Sequence, residues 1–282
     1  MKKYLSILLV FISAISYGQK KSGNTTTASL ILNKGQQITV TTSSSMDAEM
    51  GMGMKMKNDV MQTNTLLVTD VNDKNYIVSN TLNRIRLNGN MGAEDISFDS
   101  DKKEDLESEI GKSMKDKIGK TVIAKINRAT GEVSVDTTNS KEEDAGENSF
   151  SGILGGNQGN DEENVRSAFF IIPPNKKPGD SWTDSTTAGK MKSVMEYKYI
   201  SFDKDLANIS IKTSTKGTNT MDANGMQFDI AMNSVSAGQL IVNTKTSLVQ
   251  KRNAVADISG DIDMMGQSMT ITSKANSISE YK

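Results

Sequence analysis

The chain has 282 residues, a formal net charge of −1, and neither histidine nor cysteine. Those two absences exclude Ser-His and Cys-His nucleophiles, a histidine general base, the usual zinc ligands, His- or Cys-held haem and every disulfide. Lysines scattered among acids, with aromatics at 5%, leave no basic, aromatic-studded footprint for nucleic acid.

The chain opens with Met1, Lys2 and Lys3, an apolar run over residues 4–15, and Ser16-Tyr17-Gly18. A charged start, an apolar stretch too short to span a bilayer and small residues before a cut predict a signal peptide over residues 1–18. Cleavage would leave Gln19 first and, with Lys2 and Lys3 gone, take the formal charge from −1 to −3. With no cysteine to carry a lipid, the expectation is an exported protein of the periplasm or medium, not lipid-anchored. No later stretch is long and apolar enough for a transmembrane helix. Residues 19–29, rich in Ser, Thr, Lys and Gly, read as a flexible lead-in.

Residues 31–42 predict the first strand. Met50, Met52, Met54 and Met56 then recur at every second position, a spacing that in a strand lines one face. Residues 65–71 and 76–82 continue the sheet into a hairpin around Met91 and Gly92. A two-residue loop there opposes Leu87 to Ile96, Ile85 to Phe98 and Arg84 to Asp99. The period changes after Phe98. Asp101 and Glu104 suggest a capping box, and Leu106, Ile110, Met114 and Ile118 form an apolar stripe, predicting one helix over residues 104–118. Gly111 in its middle costs about 1 kcal/mol, and Gly119 suits the stop. Residues 121–126 and 132–135 predict a further hairpin through Thr130 and Gly131.

Residues 137–164 differ in kind. Seven acids and five glycines lie between Lys141 and Asn164, too little apolar surface to offset ordering, so a flexible insertion is expected. Phe169-Phe170-Ile171-Ile172 resumes the fold. Pro173, Pro174 and Pro178 stiffen the approach to Trp182, the one tryptophan. Strands are expected at residues 193–202, 208–215, 227–232, 239–249, 255–264 and 269–278. Asn224-Gly225 sets Met221 against Phe228 and Ala223 against Met226. Met265-Gly266 sets Ile262 against Met269 and Met264 against Gln267, with Ile258, Gly260 and Ile271 on the same side and Ser259, Asp261, Asp263, Ser268, Thr270 and Thr272 on the other.

The fold class is therefore mostly β: a curved antiparallel sheet, or an incomplete or closed barrel, built from repeated hairpins with one short helix on its apolar face. Residues 30–136 and 165–282 form two halves of one globular unit. The block Phe170-Ile-Ile-Pro-Pro-Asn-Lys-Lys-Pro-Gly-Asp-Ser-Trp182, with Ile118-Gly-Lys-Thr-Val and Thr130-Gly-Glu-Val after a charged helix, resembles an uncharacterised family of exported bacterial β-proteins. That resemblance implies no assigned activity and carries over no functional residue. The many strands and few helices are also similar in architecture to the half-barrels of lipoprotein carriers, a likeness that licenses no function.

Catalytic chemistry is confined to Ser-Lys pairs and carboxylates. Asp99, Asp101 and Asp105 flank a helix start, where acids belong in any case, and Asp261 and Asp263 lie on a polar strand face. No catalytic residue, metal ligand or cofactor is assigned. Asp70-Val-Asn-Asp-Lys-Asn lacks the glycine and distal acid of a calcium loop. The methionines are pliable apolar filler of one sheet face, a groove lining for flexible apolar ligands, or soft Cu(I) ligands. The expected function is non-enzymatic binding or carriage of an apolar, lipid-like ligand in a sheet groove by Met52, Met54, Met56, Met221, Phe228, Ile262 and Met269. The alternatives are a Met-rich Cu(I)-binding protein and a structural or adhesive surface protein.

Overall fold

A computed structural model describes residues 30–91, 94–135, 161–223, 226–264 and 267–282. Among them twelve strands form one antiparallel sheet, not closed into a barrel. In chain order they are β1 (Gln37–Met50), β2 (Met54–Val71), β3 (Asn75–Met91), β4 (Glu94–Asp99), β5 (Thr121–Asn127), β6 (Val133–Val135), β7 (Ser181–Ala188), β8 (Met191–Asp203), β9 (Leu206–Ala223), β10 (Met226–Asn243), β11 (Val249–Met264) and β12 (Gln267–Tyr281). The sheet runs β6-β5-β3-β2-β1-β12-β11-β10-β9-β8-β7, with β4 added to β3. Within β1–β4, β5–β6 and β7–β12, neighbours in sequence are neighbours in the sheet; β4 and β5 instead both pair with β3, and β6 and β7 lie at opposite margins. The central seam is a pairing between distant parts of the chain, β1 with β12 over Val40–Tyr281 to Met50–Ile271. Thr39 and Lys282 exchange backbone hydrogen bonds of 2.7 and 2.9 Å at its foot.

Alternation decides which face is buried. In β2 the side chains of Met56, Asn58, Val60, Gln62, Asn64, Leu66 and Val68 are buried, while Lys55, Lys57 and Asp59 are exposed. The buried faces of both sheet halves turn inward. At the end where β2 turns into β3 and β10 into β11 they share one core: Val40, Leu66, Val78, Ile126 and Val133 meet Tyr197, Ile209, Leu240 and Val249. Each such aliphatic side chain contributes about 1.5–3 kcal/mol when fully buried. The opposite end carries the hairpin tips, reached by strands of up to 18 residues.

Three short helices accompany the sheet among the described residues, where the sequence predicts one. The stretch expected as a single helix over 104–118 is two: α1 (Lys103–Leu106) and α2 (Glu109–Met114). Ser108 breaks it, its hydroxyl accepting from Gly111 N–H at 3.0 Å as the cap of α2. The Asp101–Glu104 capping box does not form: Lys102 stands at the cap of α1, and Asp101 N–H donates to the Asp99 carboxylate instead. Gly111 is required rather than merely tolerated, because a Cβ there would run into the backbone of Asp105 and Leu106. The apolar stripe docks as expected, Met114 joining Val60, Ile85, Leu87 and Phe98, with Leu106, Ile110 and Ile118 beside them.

The hairpins at residues 224–225 and 265–266 keep the expected registers, with Met221 opposite Phe228 and Ile262 opposite Met269. The β3–β4 hairpin shifts by two residues: Arg86, not Arg84, stands opposite Asp99, and Leu87 opposite Phe98. A shift of two leaves every side chain on its own face, so alternation alone does not discriminate between the registers. The Met row is not one strand. Met50 ends β1, Met52 sits in the turn of Gly51–Gly53, and Met54 begins β2 opposite Met50. Gly53, at φ 75°, turns the chain there. The strands expected at 227–232 and 239–249 are largely one strand, β10, while Val249 opens β11. The first strand begins later and runs further than expected.

Two elements are additions to the sequence reading: β7, and α3 (Asp161–Ser167) at the end of the expected insertion. The rest of that insertion, the signal peptide and the lead-in lie outside the described residues. Helix α3 packs against β3, β5 and β6. Phe170 just beyond it lies 5.4 Å from the Tyr197 ring and 6.5 Å from that of Trp182. Residues 161–170 thus bridge the two margins of the open sheet.

Candidate functional site on the inner face

Beyond the shared core, the inner face across β9–β12 and β1–β2 is floored largely by small residues. One row crosses six strands as Thr213, Ser236, Ala256, Ala275, Met46 and Asn58. The next runs Thr215, Ser234, Ile258, Ser273, Ala48 and Met56. All twelve are buried. Alanine and serine contribute little packing in a strand, whereas packed sheet faces stand about 10 Å apart when filled by ordinary side chains. Small residues on consecutive strands therefore lower the floor of the sheet.

Two hydroxyls on this floor stand out. Thr213 Oγ1 and Ser273 Oγ are buried, their residues 4% and 5% exposed, without a hydrogen-bond partner among the described residues. Their neighbours are satisfied: Ser193 and Thr215 share a bond of 2.8 Å, and Thr42 and Ser279 one of 2.9 Å. A buried hydroxyl left unpaired costs about 1–3 kcal/mol, so these two are the unpaired hydroxyls of the floor; Tyr281 Oη and Asn80 Oδ1, elsewhere on the inner face, are unpaired as well. Met46, Met56, Ile258 and Ile271 give the same floor an apolar margin toward the hairpin tips.

The outer face differs. Across it Asp257, Lys274, Asp47 and Lys57 alternate in sign strand by strand, over a shallow groove of about 690 Å³ that also includes Val235 and Asn233. The Lys274–Asp257 separation is 4.0 Å and both side chains are exposed, so the row offsets its own charge and contributes little stability.

Of the residues singled out in the sequence, Met56 lies on the inner face, 2% exposed and opposite Ala48, and Met269 is half-buried against Gly51. The backbone sets Met221 against Phe228, and Ile262 against Met269. All of them fall at the hairpin-tip end of the sheet. The side chains of Met52, Met54, Met221, Phe228 and Ile262 lie outside the described ones. The small-residue floor was missed, although Ala254, Ala256 and Ala275 at alternate positions of strand-like stretches were its signal. Among the described residues, no three acidic side chains are grouped to hold a metal ion, and no helix is long and apolar enough to cross a membrane.

A second polar cluster lies beneath α3. Glu163, on the buried side of the helix, faces Arg252 of β11, and burial, opposed by Arg252, pushes its carboxyl up to about 7. Burial likewise raises Asp161, against the pull of the Asn80 amide that donates to it at 2.9 Å. Arg166 is lowered by burial, with Glu132 acting against that shift. Glu163, Arg166, Arg252 and Glu132 line a cavity of about 130 Å³ together with Phe169 and Phe170.

Together these features define an open antiparallel β protein with a rolled sheet, a core at one end and a small-residue inner face toward the other. The chain belongs to the family of unknown function DUF6263, whose model matches residues 73–249. Both stretches that carry the resemblance noted in the sequence fall inside that span. No curated protein matches. Among solved structures, lipovitellin, described for its lipid–protein interactions, is 8% identical with a TM-score of 0.48, covering 89% of this chain and 26% of its own. Pseudomonas aeruginosa OccK7 (OpdD) is 6% identical with a TM-score of 0.23, covering 89% of this chain and 99% of its own. This chain spans about a quarter of the lipovitellin chain.

Proposed function

We propose that the protein is a non-enzymatic, exported envelope protein that binds an apolar, lipid-like ligand on the inner face of its sheet. The observation that carries this reading is the pair of unpaired buried hydroxyls, Thr213 Oγ1 and Ser273 Oγ, on a floor of alanine, serine and threonine. An amphiphile answers both features, its chain lying along the small-residue rows and its polar group bonding one of the two hydroxyls, which stand three strands apart. Met46, Met56 and Met269 adapt to chains of different shape. Export rests on the charged and apolar start of the chain.

The test is native mass spectrometry of protein purified without detergent, followed by titration with a fluorescent fatty-acid probe. A ligand-sized mass increment or saturable probe binding is expected. The pair Thr213→Val and Ser273→Ala, which keeps the volume of the floor, should weaken binding roughly tenfold, equivalent to about 1.4 kcal/mol. A bare mass together with no probe binding sinks the proposal.

A further inference from the structure

Helix α3 lies half-buried along its length, and the Asn80 amide of β3 donates to Asp161 at 2.9 Å. Its seven residues bury two side chains, Val165 and Glu163, and one of these is a carboxyl group. Immediately after it the chain is tied down: Val249 N–H donates to Ala168 O and Phe170 N–H to Ser247 O, each at 2.9 Å, and Phe169 bridges to Leu248. The anchor therefore lies at residues 168–170, and the helix projects from it across β3, β5 and β6 with a cavity of about 130 Å³ behind it. A buried valine favours docking, while a buried carboxylate opposes it.

We propose that α3 is a strap across the seam between the two margins of the sheet, swinging on Ser167–Ala168, and that protonation of Glu163 closes it. The groups facing Glu163 are Arg252 from β11 and Glu132 beside β6; Asp161, Glu162 and Arg166 share its helix. Glu162 holds Arg166 in an ion pair on the helix itself. Lys117 and Lys120 act on Asp161, as does the Asn80 amide of β3.

The sign follows from linkage. In the docked helix the Glu163 carboxyl titrates at about 7, against 4.5 when solvated, so the docked state holds the proton more tightly. Docking is strongest below pH 4.5, weakens as the pH rises to 7, and levels off above that. The whole change amounts to roughly 300-fold in the docking equilibrium, the tenfold-per-unit consequence of that difference. The strap is thus closed by acid and loosened at neutral pH, whether or not an apolar ligand occupies the inner face.

A chain without cysteine permits a direct test. Val165→Cys in the full chain places one thiol under the strap, and its alkylation rate, divided by that of the denatured chain at the same pH, reports opening. From pH 5 to pH 8 this ratio should rise by roughly 100-fold. Adding Glu163→Gln should flatten most of the profile, the remainder belonging to Asp161, whose carboxyl burial also raises, and removed by Asp161→Asn. A thiol at Ala275, remote from α3, reports global opening and should not follow the same profile. If Val165→Cys does not fold, tryptic cleavage after Arg166 between pH 6 and 8 replaces it as the readout. An equal rise with and without Glu163, or a flat profile in both, overturns the proposal.

Discussion

Trp182 of β7 lies flat on Tyr197 of β8, ring centroids 5.2 Å apart and planes inclined by 14°. Phe170 leans on both rings, so three aromatics from one strap end and two strands lock the margin of the sheet. Lys176 adds its ammonium 5.8 Å above the Trp182 ring. Phe170→Ala should destabilise by about 3–5 kcal/mol through the lost burial and the cavity left behind. Because Trp182 is the sole tryptophan, its emission should shift to the red in the folded variant. Urea denaturation followed by fluorescence measures both, and a loss under about 1 kcal/mol would show that the cluster is not part of the core.

Gly111 gives a prediction that runs against helix propensity. In an ordinary helix Gly→Ala stabilises by about 1 kcal/mol. Here the new methyl group would meet the main chain of Asp105 and Leu106, which cannot yield as a flexible side chain would. Gly111→Ala should therefore destabilise by about 1–3 kcal/mol. A more stable variant in thermal or chemical denaturation would mean that α1 and α2 do not approach each other so closely.

What was legible in the sequence and what was not follow the same physics. Strand faces were legible because alternation is a local signal: Ile258, Gly260 and Ile271 are buried, and Ser259, Asp261 and Thr272 exposed. The registers of β9 with β10 and of β11 with β12 were legible too, each from the alternation and the glycine between the strands. The β3–β4 register was not legible, since a two-residue shift preserves every face and brings Arg86 Nε to 2.6 Å from Asp99. The pairing of β1 with β12 joins the two ends of the chain, and no local pattern encodes it. Helix α3 escaped because its acids are those of a solvated segment, whereas Glu163 is in fact 5% exposed. Thr213 and Ser273 read as ordinary strand residues until their hydroxyls could be seen without partners.

The two faces of β11 and β12 should respond oppositely to charge. Ile258→Asp places a carboxylate on the buried floor beside Ser234 and Ser273, and should cost several kcal/mol, on the order of 3–5. Thr272→Lys sits on the exposed face opposite Glu49 and should change stability by less than about 0.5 kcal/mol. Chemical denaturation of both variants decides; comparable losses would mean that both faces are covered.

Glu163 also makes a prediction about the whole fold. Its raised carboxyl opposes folding once ionised, so its own contribution to stability is greatest below pH 4.5 and declines as the pH rises toward 7. If α3 and the sheet unfold as one unit, the full difference appears, about 3 kcal/mol between pH 4 and pH 8 at 1.36 kcal/mol per pH unit. If the strap releases first, the sheet loses no more than the energy that docks the strap. The decline should then level off early, and Glu163→Gln should remove most of it, leaving the remainder due to Asp161. Urea midpoints for both proteins across that pH range are the measurement. An uninterrupted decline of about 3 kcal/mol would show that α3 belongs to the cooperative core and that no separate strap exists.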